Sequence, residues 1–406
     1  MEPLLYLVHR LPFPPNKGDK IRTYHLLRYL SRRYRVYLGT FADMQGDGVY
    51  ADALREYCAE VKVIPLSPLL ARARSTTGLL RGEPLTLSYY RSADLQRWCD
   101  RVTAEHRIGK AVTFSSMMTM YLDRPGAPEL VADYCDVDSQ KWAQYAQGRG
   151  WPASFIYGRE ARTLLAFERR MAARARACTF VTSAEVELFA RLAPECSSRL
   201  YAIGNGVDSA FFSPQADRPS PYEDDELPIV FTGAMDYWPN IDAVTWFASE
   251  VMPRIVALRP QARFYIVGMN PAATVNALAG QHVVVTGKVA DVRPYLQHAR
   301  VAVAPLRVAR GVQNKVFEAM AMARPVVVSS AVAQGIHAAP LSEFDIAGDA
   351  REFAYKVTAL MEPSAGAEMG MRARQRVITD YGWDAQLARF GELLEGPPAA
   401  RLSLAG

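Results

Sequence analysis

The first half of the chain alternates short apolar runs with segments whose apolar residues recur at helical spacing. The apolar runs predict buried strands, whereas segments 21–30, 157–176 and 184–192 predict helices. Strands that alternate with helices along a chain indicate a parallel sheet covered on both faces. The strands predicted in this half are residues 4–8, 36–41, 61–64, 111–114, 130–134 and 178–182.

Residues 213–228 interrupt this alternation, because they are rich in proline and acidic residues and lack an apolar period. Such a segment predicts an exposed linker. The alternation then restarts, and two closing helices are predicted at 353–361 and 367–379. The strands predicted after the linker are residues 229–233, 263–268, 283–286, 301–304 and 326–329.

The pattern therefore predicts an α/β protein built from two Rossmann-like, parallel-sheet domains. We expect these domains at 1–212 and 229–384, joined by the linker at 213–228 and followed by a helix and tail at 385–406. Two such domains are expected to face each other across a cleft. Sheets of this kind bind ligands at the carboxyl ends of their strands.

Composition narrows the class of protein. A chain of 406 residues with 50% apolar content can bury two cores. No window approaches the roughly 18 unbroken apolar residues of a transmembrane helix, and the run at 4–8 is too short for a signal peptide. The five cysteines form no C-x-x-C pair. We therefore expect a reduced, cytoplasmic protein without structural zinc.

Charge is distributed unevenly along the chain. Residues 1–213 hold 29 Lys and Arg against 22 Asp and Glu, whereas the remainder holds 18 against 20. A basic first half suits an anionic lipid surface or an acceptor that carries phosphate. Nucleic acid is a competing partner, but no recognised nucleic-acid motif supports it. Scattered solvated charge explains the balance equally well.

The segment 304–328 carries the strongest chemical signal, because it predicts a strand, a glycine-bearing loop, a helix and a second buried strand. Arg307, Arg310 and Lys315 place three cations around the start of that helix. A helix start already carries unpaired N–H groups, so an anion such as phosphate is the expected occupant. Glu318 shares a helix face with Lys315 and suits the hydroxyls of a ribose. The alternative is a Rossmann-type helix with a solvated charged end.

The sequence Lys-Val-Phe-Glu-Ala-Met-Ala-Met-Ala-Arg-Pro-Val-Val from residue 315 resembles the donor-site signature of family 4 glycosyltransferases, which have the GT-B fold. In that family the helix glutamate, here Glu318, binds the donor ribose. The loop before the helix holds the diphosphate. The resemblance therefore implies donor contacts from Gly311, Val312, Gln313 and Asn314.

Three further segments resemble glycine-bearing loops of the same family. Gly18 lies in a loop after the first strand that closes over donor and acceptor, although an ordinary βα turn fits it equally. Gly233 ends a strand where backbone approaches the diphosphate. The Arg and Lys that many members place there are absent, and Asp236, Tyr237 and Asn240 stand instead. The run Gly287, Lys288 and Val289 is similar to the loop whose backbone bonds the nucleobase.

Two departures from the family pattern concern catalysis. Arg310 stands where the family has a second glutamate, eight positions before the helix glutamate. Asp133, Asp136 and Asp138, with Lys141 one turn on, stand where members often carry a histidine. We take Asp136 as a catalytic candidate, while helix capping with surface charge explains the cluster equally well. Magnesium binding by these aspartates stays an alternative, but the resemblance implies no required metal, since the family generally uses protein cations and a helix end.

The motifs Lys-Gly-Asp-Lys-Ile-Arg at 17–22, Asp-Val-Asp-Ser-Gln-Lys at 136–141 and Val-Gln-Asn-Lys at 312–315 resemble exopolysaccharide sugar transferases associated with PEP-CTERM/exosortase systems. This resemblance implies a polyprenyl-linked saccharide acceptor at the inner membrane face. It also implies a nucleoside diphosphate sugar as donor, with retention at the anomeric carbon. Arg310 and Lys315 would stabilise the leaving diphosphate. Two rivals stay open, namely a nucleotide-sugar epimerase and a non-catalytic nucleotide-binding assembly protein.

Overall fold

The structure, a computed structural model, describes residues 1–15, 18–42, 50–76, 78–79, 82–147, 150–309, 313–334, 336 and 340–396. These residues form two compact units. The first unit comprises Met1–Gly204 together with the chain from Leu387 onward, and the second comprises Asn205–Gln386.

The first unit is built on a seven-stranded sheet in the order β3-β2-β1-β4-β5-β6-β7, and every pairing of neighbouring strands is parallel. Strand β1 is buried from Leu4 to Val8, because helices cover both faces of a parallel sheet. The strands are β1 Glu2–Val8, β2 Tyr34–Ala42, β3 Glu60–Pro65, β4 Lys110–Phe114, β5 Glu129–Cys135, β6 Ala177–Phe180 and β7 Leu200–Ala202.

Helices connect these strands in the right order for repeated βαβ units. The α-helices among the described residues before 205 are α1 Gly18–Ser31, α2 Ala51–Leu54, α3 Pro68–Ser75, α4 Leu85–Tyr90, α5 Ala93–His106, α6 Asp138–Gln147, α7 Ala153–Arg174 and α8 Ser183–Leu192. Two 3₁₀ segments lie at Ser116–Leu122 and Pro194–Arg199.

The second unit is built on a six-stranded sheet in the order β10-β9-β8-β11-β12-β13, again with every neighbouring pair parallel. Two parallel sheets with helical connections confirm the predicted α/β class with two Rossmann-like sheets. The strands are β8 Leu227–Thr232, β9 Ala262–Val267, β10 Val283–Gly287, β11 Val301–Ala304, β12 Val326–Ser329 and β13 Asp345–Ala347.

The helices after residue 205 complete the second unit and return the chain to the first. A π-helical turn at Phe247–Val251 joins two helical segments, and a second one at Val377–Tyr381 ends a helix before the extended backbone of Gly382. The α-helices of this part are α9 Trp238–Trp246, α10 Met252–Leu258, α11 Ala273–Asn276, α12 Arg293–His298, α13 Asn314–Ala321, α14 Ser330–Ala333, α15 Ala350–Leu360, α16 Pro363–Arg376 and α17 Trp383–Glu395.

The helix predicted at 157–176 begins earlier and ends sooner than its apolar period indicates. It ends at Arg174, and Ala175 turns to extended backbone with ψ of 147°. The Arg176 amide then donates to the Leu130 carbonyl at 2.8 Å, which starts the pairing of β6 with β5. Sheet pairing therefore overrides the local helical preference of alanine and arginine at this end.

The described residues include no helix of the length and apolarity needed to cross a bilayer.

Candidate functional site

Three glycines lie at the carboxyl ends of three neighbouring strands in the second sheet. Gly233 follows β8, Gly268 follows β9 and Gly287 ends β10. The Gly233 amide donates to the Val267 carbonyl at 3.0 Å, and the Gly268 amide donates to the Gly287 carbonyl at 3.2 Å. A Cβ atom on Gly268 would lie 1.6 Å from the Gly233 carbonyl oxygen, so only glycine fits there.

Gly233 also makes room for two polar side chains of its own unit. A Cβ atom at this position would lie 2.8 Å from Nδ2 of Asn240 and 3.0 Å from Nζ of Lys315. The glycine is therefore needed for the packing of an amide and a cation. A role in admitting a donor diphosphate stays a prediction from the sequence.

Lys315 lies in the first turn of α13 and is positioned by an amide and an aromatic ring. Its Nζ donates to Oδ1 of Asn240 at 2.6 Å and lies 4.0 Å from the centre of the Phe231 ring. The Asn240 side chain is buried, and its Nδ2 donates to the Ala234 carbonyl at 2.8 Å. That second bond turns the amide oxygen toward the lysine. Neither the amide nor the ring carries a charge that would neutralise the ammonium.

Lys315 and Glu318 are half-buried, and burial shifts the pKa of both. Burial lowers the pKa of Lys315 to about 7, and the charge of Glu318 offsets only part of this effect. Burial likewise raises the pKa of Glu318 to about 7, against the opposing charge of Lys315. Such shifts accompany sites where a ligand completes the solvation of buried ionisable groups.

The packing of α13 explains why these two side chains lie together. Val316, Phe317 and Met320 are buried in the core of the second unit. Lys315 and Glu318 are three residues apart and therefore occupy one face of the helix beside this buried stripe. The shared face expected from the sequence is thus consistent with the helix that the structure contains.

The residues before α13 are described only in part. Gln313 has extended backbone and immediately precedes the helix, and Asn314 is its exposed first residue. Arg310, Gly311 and Val312, which the sequence places in the donor loop, lie outside the described residues.

The sequence predicts that Arg307 adds an uncompensated cation to the donor loop, but in the structure its side chain is paired with a carboxylate. Its Nε donates to Oδ2 of Asp242 at 3.0 Å, and the two side chains form an ion pair. The hydrogen bonds and charge of that carboxylate raise the pKa of Arg307. Its positive charge is therefore largely matched within the unit.

The loop predicted to bond a nucleobase follows β10. Gly287 has a φ of 67°, in the left-handed region that glycine adopts without strain. Lys288 is exposed, while Val289 packs against the core of the unit. Val289 thus anchors the loop beside the strand end, and the base contacts stay a prediction.

In the first unit, Gly18 begins α1 and Asp19 follows it. A Cβ atom on Gly18 would meet no atom within 4 Å, so no contact within the described chain requires glycine there. Asp19 forms an ion pair with Arg10 and lies 3.6 Å from Nε2 of His9. Although burial raises the pKa of Asp19, His9 and Arg10 outweigh it and hold this pKa well below its usual range.

Asp133, one of the three clustered aspartates, forms a buried ion pair. Its Oδ2 accepts from Nε of Arg22 at 2.7 Å and its Oδ1 accepts from Nη2 at 3.0 Å. Thr179 donates to Oδ1 at 2.8 Å, and Arg22 also donates to the Gly204 carbonyl at 3.1 Å. The exposed fraction is 0% for Asp133 and 1% for Arg22, so this carboxylate links α1 to β5 rather than facing a ligand.

Asp136 and Asp138 share the ammonium of Lys141. Its Nζ lies 2.9 Å from Oδ2 of Asp136 and 3.1 Å from Oδ1 of Asp138. Burial lowers the pKa of Lys141, but the charges of Asp138 and Asp136 outweigh burial and raise it overall. Asp136 is partly exposed beyond the end of β5, so its carboxylate is available to solutes. Its catalytic role stays a prediction.

Glu168, which sequence reasoning did not single out, is a fully buried carboxyl group beneath this cluster. Its Oε1 accepts from Oγ of Ser116 at 3.1 Å and from the Ser139 amide at 3.4 Å. Burial raises its pKa to about 8, so the group is largely protonated at neutral pH. The only signal in the sequence is a glutamate on the apolar face of α7, at the spacing of Leu164 and Met171.

The fold is that of GT-B glycosyltransferase structures. HepE from Anabaena, solved with UDP, matches with a TM-score of 0.65 and 15% identity over 97% of this chain and 99% of its own. Sucrose-phosphate synthase from Thermosynechococcus elongatus matches with a TM-score of 0.64 and 18% identity over 97% and 98%. A glycosyltransferase from Rickettsia africae matches with a TM-score of 0.63 and 10% identity over the same shares, 97% and 98%.

No curated protein sequence matches the chain. Within the second unit, residues 226–363 match the family described as "Glycosyl transferases group 1".

Proposed function

We propose that this protein is a retaining glycosyltransferase that moves a sugar from a nucleoside diphosphate donor to a saccharide acceptor. The observation that carries the proposal is the half-buried pair of Lys315 and Glu318 at the start of α13, inside the segment that matches the family "Glycosyl transferases group 1". HepE, which shares the fold, was solved with UDP and with UDP-glucose. A nucleoside diphosphate supplies both an anion for the lysine and ribose hydroxyls for the glutamate.

The proposed chemistry is electrostatic. As the bond between the anomeric carbon and the diphosphate breaks, negative charge builds on the leaving oxygen. Lys315, the N–H groups at the start of α13 and Arg310 stabilise that charge. The acceptor hydroxyl attacks from the face that the diphosphate leaves and gives its proton to a diphosphate oxygen. The anomeric configuration is therefore retained without a protein base.

The acceptor side rests on the first unit. We propose a polyprenyl-linked saccharide in exopolysaccharide synthesis, held at the cytoplasmic face of the inner membrane. Residues 1–213 hold 29 basic residues against 22 acidic ones, and this excess of positive charge supports a partner with anionic groups. Asp136 is proposed to contact the acceptor hydroxyl, since its carboxylate stands partly exposed at the end of β5.

A screen of nucleoside diphosphate sugars by thermal shift identifies the donor, and turnover with and without lipid-linked acceptor then tests the reaction. A transferase consumes donor much faster when acceptor is present and forms a glycosidic product. Free epimerised sugar without acceptor would instead identify an epimerase. Donor binding without any turnover would identify a nucleotide-binding assembly protein, an alternative that the arginine at position 310 keeps open.

A further inference from the structure

The first unit exposes four large apolar side chains at the starts of two helices. Leu69 and Leu70 open α3 and are 77% and 73% exposed. Trp151 and Phe155 lie at the start of α7 and are 85% and 65% exposed. We call these four side chains the apolar face. Single exposed apolar residues are common, whereas each of these helix starts exposes two large apolar side chains at most four positions apart. Paired exposure of this kind points to an interaction surface.

Hydrogen bonds join the two helices that carry the apolar face. From α3, the Arg74 side chain donates to the carbonyls of Ser88 and Tyr89, at 3.1 and 2.7 Å. From α7, the Glu160 carboxylate accepts from the amides of Leu85 and Thr86, at 2.6 and 2.9 Å. All four of these partners belong to α4. Helices α3, α4 and α7 therefore form one lobe.

The orientation of α3 is fixed so that its leucines point outward. Ala71 is 1% exposed and packs into the unit, whereas its neighbours Leu69 and Leu70 gain little burial from folding. Two leucines in the first turn of a short helix add nothing to the core. Their apolar area, roughly 25 cal/mol for each Å² removed from water, is available only to a partner.

The lobe also carries an excess of positive charge, which favours a partner with an anionic surface. Residues 67–91 hold four arginines against the single acidic residue Glu83. Arg72 is exposed and forms no ion pair with any residue that the structure describes. Arg159, one turn after Phe155, donates to the carbonyls of Gly78 and Glu83 at 3.1 Å each and so meets no carboxylate through these bonds. Exposed leucine, tryptophan and arginine together match the interface of an anionic bilayer.

We propose that the apolar face enters the interface of an anionic membrane while the exposed Arg72 meets the lipid phosphates. The inference rests on the proposed function, in which the acceptor is lipid-linked, and it names the surface that brings the enzyme to that acceptor. Tryptophan supports this orientation because its ring prefers the level of the headgroups.

Sedimentation of the full chain with vesicles tests the proposal without any donor. The protein should sediment with phosphatidylcholine vesicles that contain phosphatidylglycerol, far less with phosphatidylcholine alone, and less as salt rises. The variants Leu69→Ser/Leu70→Ser and Trp151→Ser/Phe155→Ser should each weaken binding at least about 10-fold. Leu258→Ser/Met371→Ser removes exposed apolar side chains of the second unit (61% and 70%) and should leave binding unchanged. Circular dichroism confirms that each variant is folded.

Quenching by brominated lipid locates the contact. Vesicles with brominated acyl chains should quench the fluorescence of the wild-type protein and of Trp238→Phe, which removes another exposed tryptophan. They should not quench Trp151→Phe to the same extent. Absence of binding to anionic vesicles would overturn the proposal, as would equal binding of all variants. A dimer that the same variants dissociate, without vesicle binding, would instead assign the face to a second copy of the chain.

Calorimetry of the lipid-free protein with the nucleoside diphosphate separates this inference from the proposed function. Nucleotide binding without vesicle binding refutes the membrane surface alone. Vesicle binding without nucleotide binding refutes the donor site alone.

Discussion

Nζ of Lys315 donates to Oδ1 of Asn240 at 2.6 Å, so an amide rather than a carboxylate positions the cation at the start of α13. A carboxylate partner would neutralise the ammonium and repel a diphosphate. The amide orients the lysine and leaves its charge for a ligand. The bond joins Asn240 of α9 to Lys315 of α13. Gly233, directly after β8, leaves the space in which these two side chains meet.

Gly233→Ala tests that arrangement. The new methyl group would lie 2.8 Å from Nδ2 of Asn240 and 3.0 Å from Nζ of Lys315, so one of the two side chains must move. We expect a loss of about 1–2 kcal/mol in the free energy of unfolding, the scale of overpacking, and a clear loss of nucleoside diphosphate affinity in calorimetry. Gly280→Ala is the matched control in the same unit, since a Cβ atom there meets nothing within 4 Å. Equal nucleotide affinity in both variants would contradict the arrangement.

Glu318→Ala is expected to weaken nucleoside diphosphate binding by roughly 1–3 kcal/mol, because ribose hydroxyls would lose their buried acceptor. Among the described residues no hydrogen-bond partner occupies the Glu318 carboxylate, which leaves it available. Calorimetry with the nucleoside diphosphate and with inorganic pyrophosphate separates binding of the ribose from binding of the diphosphate. The loss should appear with the nucleotide and not with pyrophosphate. Unchanged affinity for the nucleotide would remove Glu318 from the ribose site.

The apolar pattern predicted every strand of the two sheets except the last strand of each sheet. Strand β7, Leu200–Ala202, forms by pairing with β6, and β13, Asp345–Ala347, forms by pairing with β12. Both are three residues long, too short for a period to be recognised. Their existence depends on the neighbouring strand, which is a tertiary contact that local sequence does not encode.

In the candidate site, the sequence likewise predicted the local arrangement but not the contacts between residues that are distant in sequence. The spacing of Lys315 and Glu318 predicts a shared helix face, because three residues is a local distance. The partners Asn240 and Asp242 lie 75 and 65 residues from the cations that they bind, Lys315 and Arg307. No spacing rule covers such pairs. Sequence reasoning therefore identified the cations but not which of them forms an ion pair with a carboxylate.

The raised pKa of Glu318 and the lowered pKa of Lys315 predict a dependence of stability on pH. Between its ordinary value of 4.5 and about 7, the folded state holds the Glu318 proton more tightly than the unfolded chain, so this contribution to stability falls as pH rises. Between about 7 and 10.5 the folded state holds the Lys315 proton less tightly, so stability rises with pH. The pair therefore destabilises the fold most near pH 7.

The variant Lys315→Gln/Glu318→Gln removes both ionisable groups and keeps an N–H donor toward Asn240. We expect it to raise the free energy of unfolding by about 1–2 kcal/mol near pH 7, the scale for replacing buried charged groups by uncharged ones. The gain should shrink toward pH 5 and pH 9. Urea unfolding at the three pH values measures it, and a gain that does not peak near pH 7 would contradict the pKa shifts.

Asp133→Ala and Asp136→Ala should separate a structural carboxylate from a functional one. Removing Asp133 leaves the buried guanidinium of Arg22 without its carboxylate, so we expect a loss of about 3–5 kcal/mol in the free energy of unfolding. Removing Asp136 breaks a partly exposed ion pair with Lys141 and should cost less than about 1 kcal/mol. Its turnover should nevertheless fall if its carboxylate contacts the acceptor. A stable, fully active Asp136→Ala variant would exclude that contact.

Lys315→Ala should lower turnover more than it lowers donor affinity. The charge of the leaving diphosphate grows as the anomeric bond breaks, so a positioned cation stabilises the transition state more than the bound donor. We expect turnover at saturating donor to fall by about 10²–10³-fold, the range for losing one preorganised group. Arg310→Ala should act in the same direction if its side chain meets the diphosphate. Collapse of donor binding with turnover preserved at saturation would reduce both residues to ligand anchors.

Proton uptake gives an independent measure of the Lys315 role. Because its pKa is lowered to about 7 in the free protein, much of the lysine is neutral at pH 8. A bound diphosphate favours the ammonium, so binding at pH 8 should take up a fraction of a proton, and affinity should decrease as pH rises above 7. Calorimetry in buffers of different ionisation enthalpy measures this uptake. The uptake should vanish in Lys315→Gln and persist in Glu318→Gln, whereas uptake that survives in Lys315→Gln would place the titrating cation elsewhere.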